Sequence, residues 1–242
     1  MMIFKRLMLA LAAATGLAMA TGALADEAAI RKNLAERLPR LPAIEEVTAS
    51  PVPGLYEIRV NGSEIFYTDA QGNFLIQGNV IDTKAQRDLT EERIARLTAV
   101  AFDALPIKDS FTIVRGNGKR KVAVFEDPNC GYCKRFERDL QNVDNVTIHM
   151  FLYPILGQDS ADKSRAIWCA KDKAKVWQDY MVRDTAIPQG ANCDVSALAR
   201  NVEFGRKYKI TGTPTLIFAD GARVPGAISS AQVEQLLSAA SK

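Results

Sequence analysis

The sequence predicts a two-part chain: a small α+β unit over residues 26–86 and an α/β domain over 106–242, with a connector helix at 87–105 between them. Three observations predict it. Short strand-like runs separated by turn signals crowd the first part. One long amphipathic stretch follows. From about Lys108 onward, short apolar strands alternate with helical patterns, which is the signature of an α/β sheet.

The first 25 residues stand apart from this pattern. Lys5 and Arg6 precede an apolar run from Leu7, and Ala23-Leu24-Ala25 leads into acidic Asp26-Glu27. That is the layout of a secretory signal peptide cut after Ala25, with a retained membrane anchor as the alternative. The expected destination is therefore outside the reducing cytosol, where disulfides persist. Residues 26–242 carry 29 basic and 28 acidic side chains, a formal net charge of +1. Near-neutrality argues against nucleic acid as the main partner, because phosphate binding leaves a strongly basic footprint.

Within the α+β unit, Ile30, Leu34 and Leu38 recur every fourth residue and form one stripe of a short helix that Pro39 and Pro42 end. The runs IEEVTA, LYEIRV, SEIFYTD and NFLIQGNVID read as strands, separated by turns at Pro51 to Gly54, Asn61-Gly62 and Gln71 to Asn73. Asn61-Gly62 between alternating runs predicts a hairpin. A unit this small buries little surface alone, and a free sheet edge invites pairing with another chain, so it is expected to dimerise. In the connector, Ile94, Leu97, Ala101 and Leu105 share a stripe, Glu92 pairs with Arg96, and Pro106 follows the end.

In the α/β domain, KVAVFED reads as a buried strand, CGYCKRFERDLQNV as a helix and VTIHMFLYP as a second strand. A helical region from Ser160 to Arg183 contains Trp168 and Trp177. VSALARNVEFGRKY continues as a helix, TLIFA and ARVPG pair across a DG turn, and SSAQVEQLLSAAS closes the chain as a helix.

The chemistry rests on four cysteines. Cys130 and Cys133 are three apart in DPNCGYCKRF, close enough for a disulfide at the first turn of a helix. A zinc site would need a second pair at similar spacing, and Cys169 and Cys193 have 23 residues between them, so neither metal nor cofactor is expected. A CxxC that opens a helix after a strand puts Cys130 against unpaired N–H groups and the helix dipole, which stabilise a thiolate. Lys134 and Arg135 favour that charge, whereas Glu126 and Asp127 oppose it. Cys130, at an exposed helix start, is assigned as the nucleophile, and Cys133, one turn in, as the thiol that attacks the mixed disulfide. Cys169 and Cys193 read as a structural disulfide around a polar helical excursion, with a second redox pair as the alternative. His149, the only histidine, reads as a satisfied or exposed strand residue rather than a partner for Cys130. Thr213-Pro214, between a glycine and a strand in KITGTPTLIFADG, is either a cis bond or an ordinary strand-initiating trans proline.

This ordered set resembles the DsbC family of bacterial periplasmic disulfide isomerases. CGYC stands at a strand-to-helix turn and GTPT about eighty residues later; IWCAKDK lies in an inserted helical segment, and AAIRKNLA and FLIQGNVID lie in an extra N-terminal unit. The resemblance implies a thioredoxin-like fold with an inserted helical segment, in a V-shaped homodimer joined through the N-terminal units. It implies that Cys130 attacks and Cys133 resolves, with Thr213-Pro214, Gly131 and Tyr132 facing the substrate and Cys169-Cys193 as the structural bridge. It further implies misoxidised or unfolded secreted proteins as substrates, a DsbD-like membrane protein as reductant, and chaperone activity. A DsbG-like reductase or chaperone, a DsbA-like oxidase and a non-enzymatic holdase remain as alternatives, because CxxC chemistry alone does not set the direction of exchange.

Overall fold

The computed structural model describes residues 26–189 and 192–241. The expected signal segment, residues 1–25, lies outside the described residues. The chain divides into two compact units between Leu97 and Thr98.

In the first unit, helix α1 (26–37) places Ile30 and Leu34 in a core with Ile58, Val60 and Phe66. Leu38, the third residue of the expected stripe, is exposed, because the helix stops one residue before Pro39 is reached. Strands β1 (Ile44–Ala49), β2 (Leu55–Val60), β3 (Glu64–Asp69) and β4 (Leu75–Ile76) form an antiparallel sheet in the order β1-β2-β3-β4. Asn61 and Gly62 both adopt positive φ, at 49° and 84°, and join β2 to β3 as the hairpin signal predicts. NFLIQGNVID does not form one strand. After β4 the chain passes Gly78 at φ 154°, and β5 (Ile81–Asp82) then pairs with β6 (Arg87–Asp88).

Helix α2 (Leu89–Thr98) is shorter than the expected 87–105 connector. It is fastened to the first unit, where Arg93 reaches Glu57 at 2.9 Å and Glu46 at 2.8 Å. It ends where Val100 leaves helical pairing and donates its N–H to Gly221 at 3.1 Å, while Val100 and Leu105 enter the second unit's core. The stripe that looked continuous from Ile94 to Leu105 is therefore divided between the two units, with Val100 and Leu105 in the core of the second.

The second unit is built on a five-stranded sheet in the order β11-β10-β8-β9-β7. Its strands are β7 (Phe111–Arg115), β8 (Arg120–Glu126), β9 (Val146–Leu152), β10 (Thr215–Phe218) and β11 (Arg223–Pro225). Only β8 and β9 are parallel. The unbroken apolar run of β8 follows from cover on both faces. Val122 and Val124 pack into one cluster with Phe136, Leu140 and Trp177, whereas Ala123 and Phe125 pack into another with Phe151 and Phe204. Strand β7 was not anticipated, although Phe111 and Ile113 alternate inward with exposed Thr112 and Val114.

Helices α3 (Gly131–Leu140), α4 (Gln158–Trp168), α5 (Lys173–Arg183), α6 (Ser196–Lys207) and α7 (Ser230–Ala239) complete the unit. The single helical region expected from Ser160 to Arg183 is two helices. The Asp172 side chain caps α5 by accepting the Lys175 N–H at 3.0 Å, so a new helix starts there instead of the old one continuing.

Candidate active site

Three loops meet at one end of the second sheet. Parallel β8 and β9 finish at that end, and antiparallel β10 starts there, with Thr215 paired to Phe125. The turn after β8 carries Cys130, the loop after β9 holds residues 153–157, and the segment from Lys209 leads into Thr213 and Pro214. The Thr213–Pro214 peptide bond is cis.

Cys130 is the N-cap of α3, and its sulfur accepts the Cys133 N–H at 3.2 Å. As a thiol it also donates to the Thr213 carbonyl at 3.3 Å. The structure thus brings Cys130, Cys133, Thr213 and Pro214 together. Gly131 and Tyr132 face outward, and the Arg135 guanidinium lies 4.6 Å over the Tyr132 ring. The expected exposure of Cys130 is not found: it is 5% exposed and Cys133 is 0% exposed. The loop before the cis-proline touches the helix start through the Thr213 carbonyl. Cys169 and Cys193 are bonded to each other, with Cα atoms 5.6 Å apart.

The two thiols are electrostatically unequal. The Cys130 pKa is lowered from 9.0 to about 6 by hydrogen bonds, chiefly from the Cys133 thiol, against the cost of burial; Thr213 and the Cys133 and Tyr132 N–H groups add to the lowering. Burial first, and the neighbouring Cys130 second, push the Cys133 thiol strongly upward. Lys134 does not supply the expected help. It pairs with Asp184 at 3.0 Å and lies 4.4 Å from the Tyr180 ring centre. Hydrogen bonds at the helix start, not flanking cations, activate Cys130.

Glu126 opposes negative charge on the thiols as expected, since it and Cys130 repel each other, but its own charge is disfavoured too. It is fully buried next to Glu137, and burial followed by the Glu137 charge pushes its pKa well above the usual carboxylate range. Burial also raises Glu137, whose Oε1 accepts the Trp177 indole N–H at 2.9 Å. Burial and the neighbouring carboxyl thus disfavour negative charge on this pair. Glu137 escaped the sequence reading, yet it shares the inward face of α3 with Cys133, Phe136 and Leu140, and a charged residue on an apolar stripe was the signal that could have found it.

Asp127 has a structural part. One of its oxygens accepts the Asn129 N–H at 2.8 Å and the Ser160 hydroxyl at 2.7 Å. The other accepts the N–H groups of Ile155 and Leu156 at 2.8 and 2.9 Å. The carboxylate thereby locks the Cys130 turn to the loop after β9. His149 lies in β9 with its ring edge-on to Phe102 at 6.0 Å, and its buried Nδ1 has no hydrogen-bond partner, unlike the satisfied or exposed histidine expected.

Comparison with known proteins accords with this geometry. A thioredoxin-like domain model matches residues 107–241, and a model of the disulfide bond isomerase protein N-terminal domain matches residues 21–91. The probable thiol:disulfide interchange protein DsbC of Bordetella parapertussis is 42% identical over 209 residues, 86% of this chain and 73% of its own length. This chain belongs to the DsbC family. DsbC of Escherichia coli is 31% identical over 208 residues, covering 84% of this chain and 83% of its own. The crystal structure of a disulfide interchange protein from Neisseria gonorrhoeae matches with a TM-score of 0.54 at 36% identity, over 57% of this chain and 99% of that one. The DsbC-family chain described here is thus an enzyme of thiol-disulfide exchange on a thioredoxin-like fold.

Its unequal thiols predict a pH profile. Alkylation of the reduced native protein by iodoacetamide should rise to half its plateau near pH 6, the value to which Cys130 is lowered. Cys133 should stay unlabelled until the protein is unfolded. The sign of the linked stability follows. A thiolate held below its unfolded pKa stabilises the reduced fold fully above about pH 9, and that contribution is lost as pH falls through about 6. Half-maximal labelling near pH 8.5 would remove the proposed activation.

Proposed function

We propose that this protein is a periplasmic disulfide isomerase that acts on wrongly paired secreted proteins as a homodimer. The observation that carries this reading is the pairing of a low-pKa Cys130 with a buried, high-pKa Cys133 beside Thr213 and Pro214. Cys130 thiolate attacks one sulfur of a substrate disulfide. A Cys130–substrate bond forms, the old S–S bond breaks, and its electron pair leaves on the second substrate sulfur. That freed thiolate attacks another substrate disulfide, and a substrate thiolate finally displaces Cys130, so the cycle has no net oxidation. If rearrangement stalls, Cys133 loses its proton and attacks Cys130. The enzyme then holds the Cys130–Cys133 disulfide, the substrate leaves reduced by two electrons, and a DsbD-like membrane protein restores the dithiol. The poorly ionised Cys133 delays this escape and so favours rearrangement over simple reduction.

Residues 26–86 supply the dimer contact in this reading. Support comes from the open edges at β1 and β4 and from exposed Phe74, Ile76 and Ile81 near the β4 edge. Apolar surface of this kind also supports a chaperone role for the dimer.

Refolding of a scrambled multi-disulfide protein tests the proposal. The parent in catalytic amount should restore native pairing without added oxidant, whereas a Cys130→Ala variant should not. Equal recovery with Cys130→Ala would leave a holdase and sink the isomerase reading. A chain beginning near Asp109 should elute as a monomer in gel filtration, and a persistent dimer would overturn the assigned contact.

A further inference from the structure

His149 is a half-buried titratable group that the exchange chemistry leaves unused. Alternation along β9 puts it on the same sheet face as Phe151, beside the cluster that holds Ala123 and Phe125. The Phe102 ring meets it edge-on, with ring centres 6.0 Å apart. Its Nδ1 is buried and has no hydrogen-bond partner among the described residues. A neutral imidazole tolerates this, because one of its two nitrogens carries no proton, whereas an imidazolium carries N–H on both. Protonation in place would therefore aim a buried N–H at no acceptor.

Phe102 belongs to residues 99–105, the segment that follows α2 and leads into the second unit. Val100 donates its N–H to the Gly221 carbonyl at 3.1 Å, Val100 and Leu105 are buried, and Phe102 rests half-buried on His149. Gly221, at φ 87°, permits that approach, since a Cβ there would lie 3.2 Å from the Val100 carbonyl oxygen. Between these anchors Ala101, Asp103 and Ala104 are exposed. The N–H groups of Ala104 and Leu105 donate to Ala101 and Phe102, so these bonds close within the segment and give it no hold on the sheet. A stretch fastened in this way opens at lower cost than the core strands.

The surroundings of the ring disfavour its charged form. Burial first, and Lys121 of β8 second, hold its pKa below the ordinary 6.5. On β7, Thr112 stands opposite His149 and carries no charge. On α6, Arg200 is taken by Asp109 at 2.6 Å. On the segment itself, Asp103 follows Phe102 and is exposed, and it is not among the groups that act on the ring. We propose that His149 and Phe102 form a pH-sensitive latch, closed at neutral pH, which releases residues 99–105 when the surroundings turn acid. The sign follows from linkage. In the open state the ring is solvated and takes its proton near about 6.5, whereas in the closed state it takes one only at lower pH. Acid therefore favours opening by up to about tenfold per pH unit below about 6.5, and the effect levels off once the closed ring is itself protonated. Release adds residues 99–105 to the link between the two units and leaves the Cys130 turn as it was.

Amide hydrogen exchange of the full chain tests the latch, read as protection relative to an unfolded peptide at the same pH. The Val100 N–H reports the segment, and the Tyr153 N–H, bonded to the Glu126 carbonyl at 2.7 Å, reports the sheet. In the parent, Val100 protection should fall about three- to tenfold between about pH 7 and about pH 5.5 while Tyr153 protection holds. His149→Leu should keep its neutral-pH protection at both values, and so should His149→Gln, which stays polar without titrating and serves if the leucine variant misfolds. Lys121→Gln should fall less than the parent, because the closed ring then protonates more easily. Phe102→Ala should lower Val100 protection already at neutral pH. Unchanged Val100 protection in the parent overturns the latch. A fall that survives in both His149 variants overturns it as well, since another group then titrates, and an equal fall at Tyr153 means general acid unfolding instead of a local release.

Discussion

A Cys133→Ala variant should accumulate a covalent complex between Cys130 and its substrate, whereas Cys130→Ala should form none and show no exchange above background. The asymmetry comes from burial and ionisation together. Cys130 is activated to about 6, so at pH 7 most of it is thiolate. Cys133 is fully buried, and burial opposes its ionisation. Initial attack by Cys133 would need both exposure and deprotonation, and the structure offers neither. Once Cys130 is bonded to a substrate, however, its sulfur is the nearest electrophile to Cys133 at the first turn of α3. Removing Cys133 deletes this escape, and the mixed disulfide then waits on a substrate thiol. Non-reducing gels after mixing with a scrambled protein should show the adduct in Cys133→Ala at many times its level in the parent. An adduct of equal yield in Cys130→Ala would reverse the assigned order of attack.

The residues of this site were legible in the sequence, and their electrostatics were not. CGYC after an apolar run places a dithiol at a strand-to-helix turn, because local spacing decides that geometry. What tunes the thiols lies far away along the chain. Thr213 approaches Cys130 across 83 residues and Trp177 reaches Glu137 across 40, and neither contact follows from local pattern. The weight of the flanking charges was hidden for the same reason. Lys134 looks available in sequence, but folding brings Asp184 to it; Glu126 looks like a negative neighbour, but folding buries it beside a second carboxyl.

Periodicity shows the same division. The β8 run and the Asn61-Gly62 turn were readable because each is governed by its own residues. The α2 stripe was over-extended because Val100 and Leu105 continue a helical spacing while packing in a different core.

Removing the second disulfide should destabilise the protein without touching its chemistry. Cys169 and Cys193 are 24 residues apart, and the chain-entropy model gives about 3.5 kcal/mol for closing such a loop. Against the ~5–15 kcal/mol that stabilises an ordinary domain, that loss is large. Among the described residues, the bridged segment has few other ties at its far end. The Trp168 indole donates to the Asp194 carbonyl at 3.0 Å, and Asp194 accepts the Ser196 N–H at 2.9 Å as α6 begins. Within the loop, α5 buries Trp177 and Met181 against the core that also holds Cys133 and Phe136. A double Cys169→Ala, Cys193→Ala variant should therefore show a lower denaturant midpoint and begin to lose α5 before the sheet, while its Cys130 alkylation profile stays centred near pH 6 wherever the fold persists. The two readouts separate the roles. A shifted alkylation profile in folded protein would mean that the bridge tunes the nucleophile as well as the fold, and an unchanged denaturant midpoint would mean that α5 is held by packing alone.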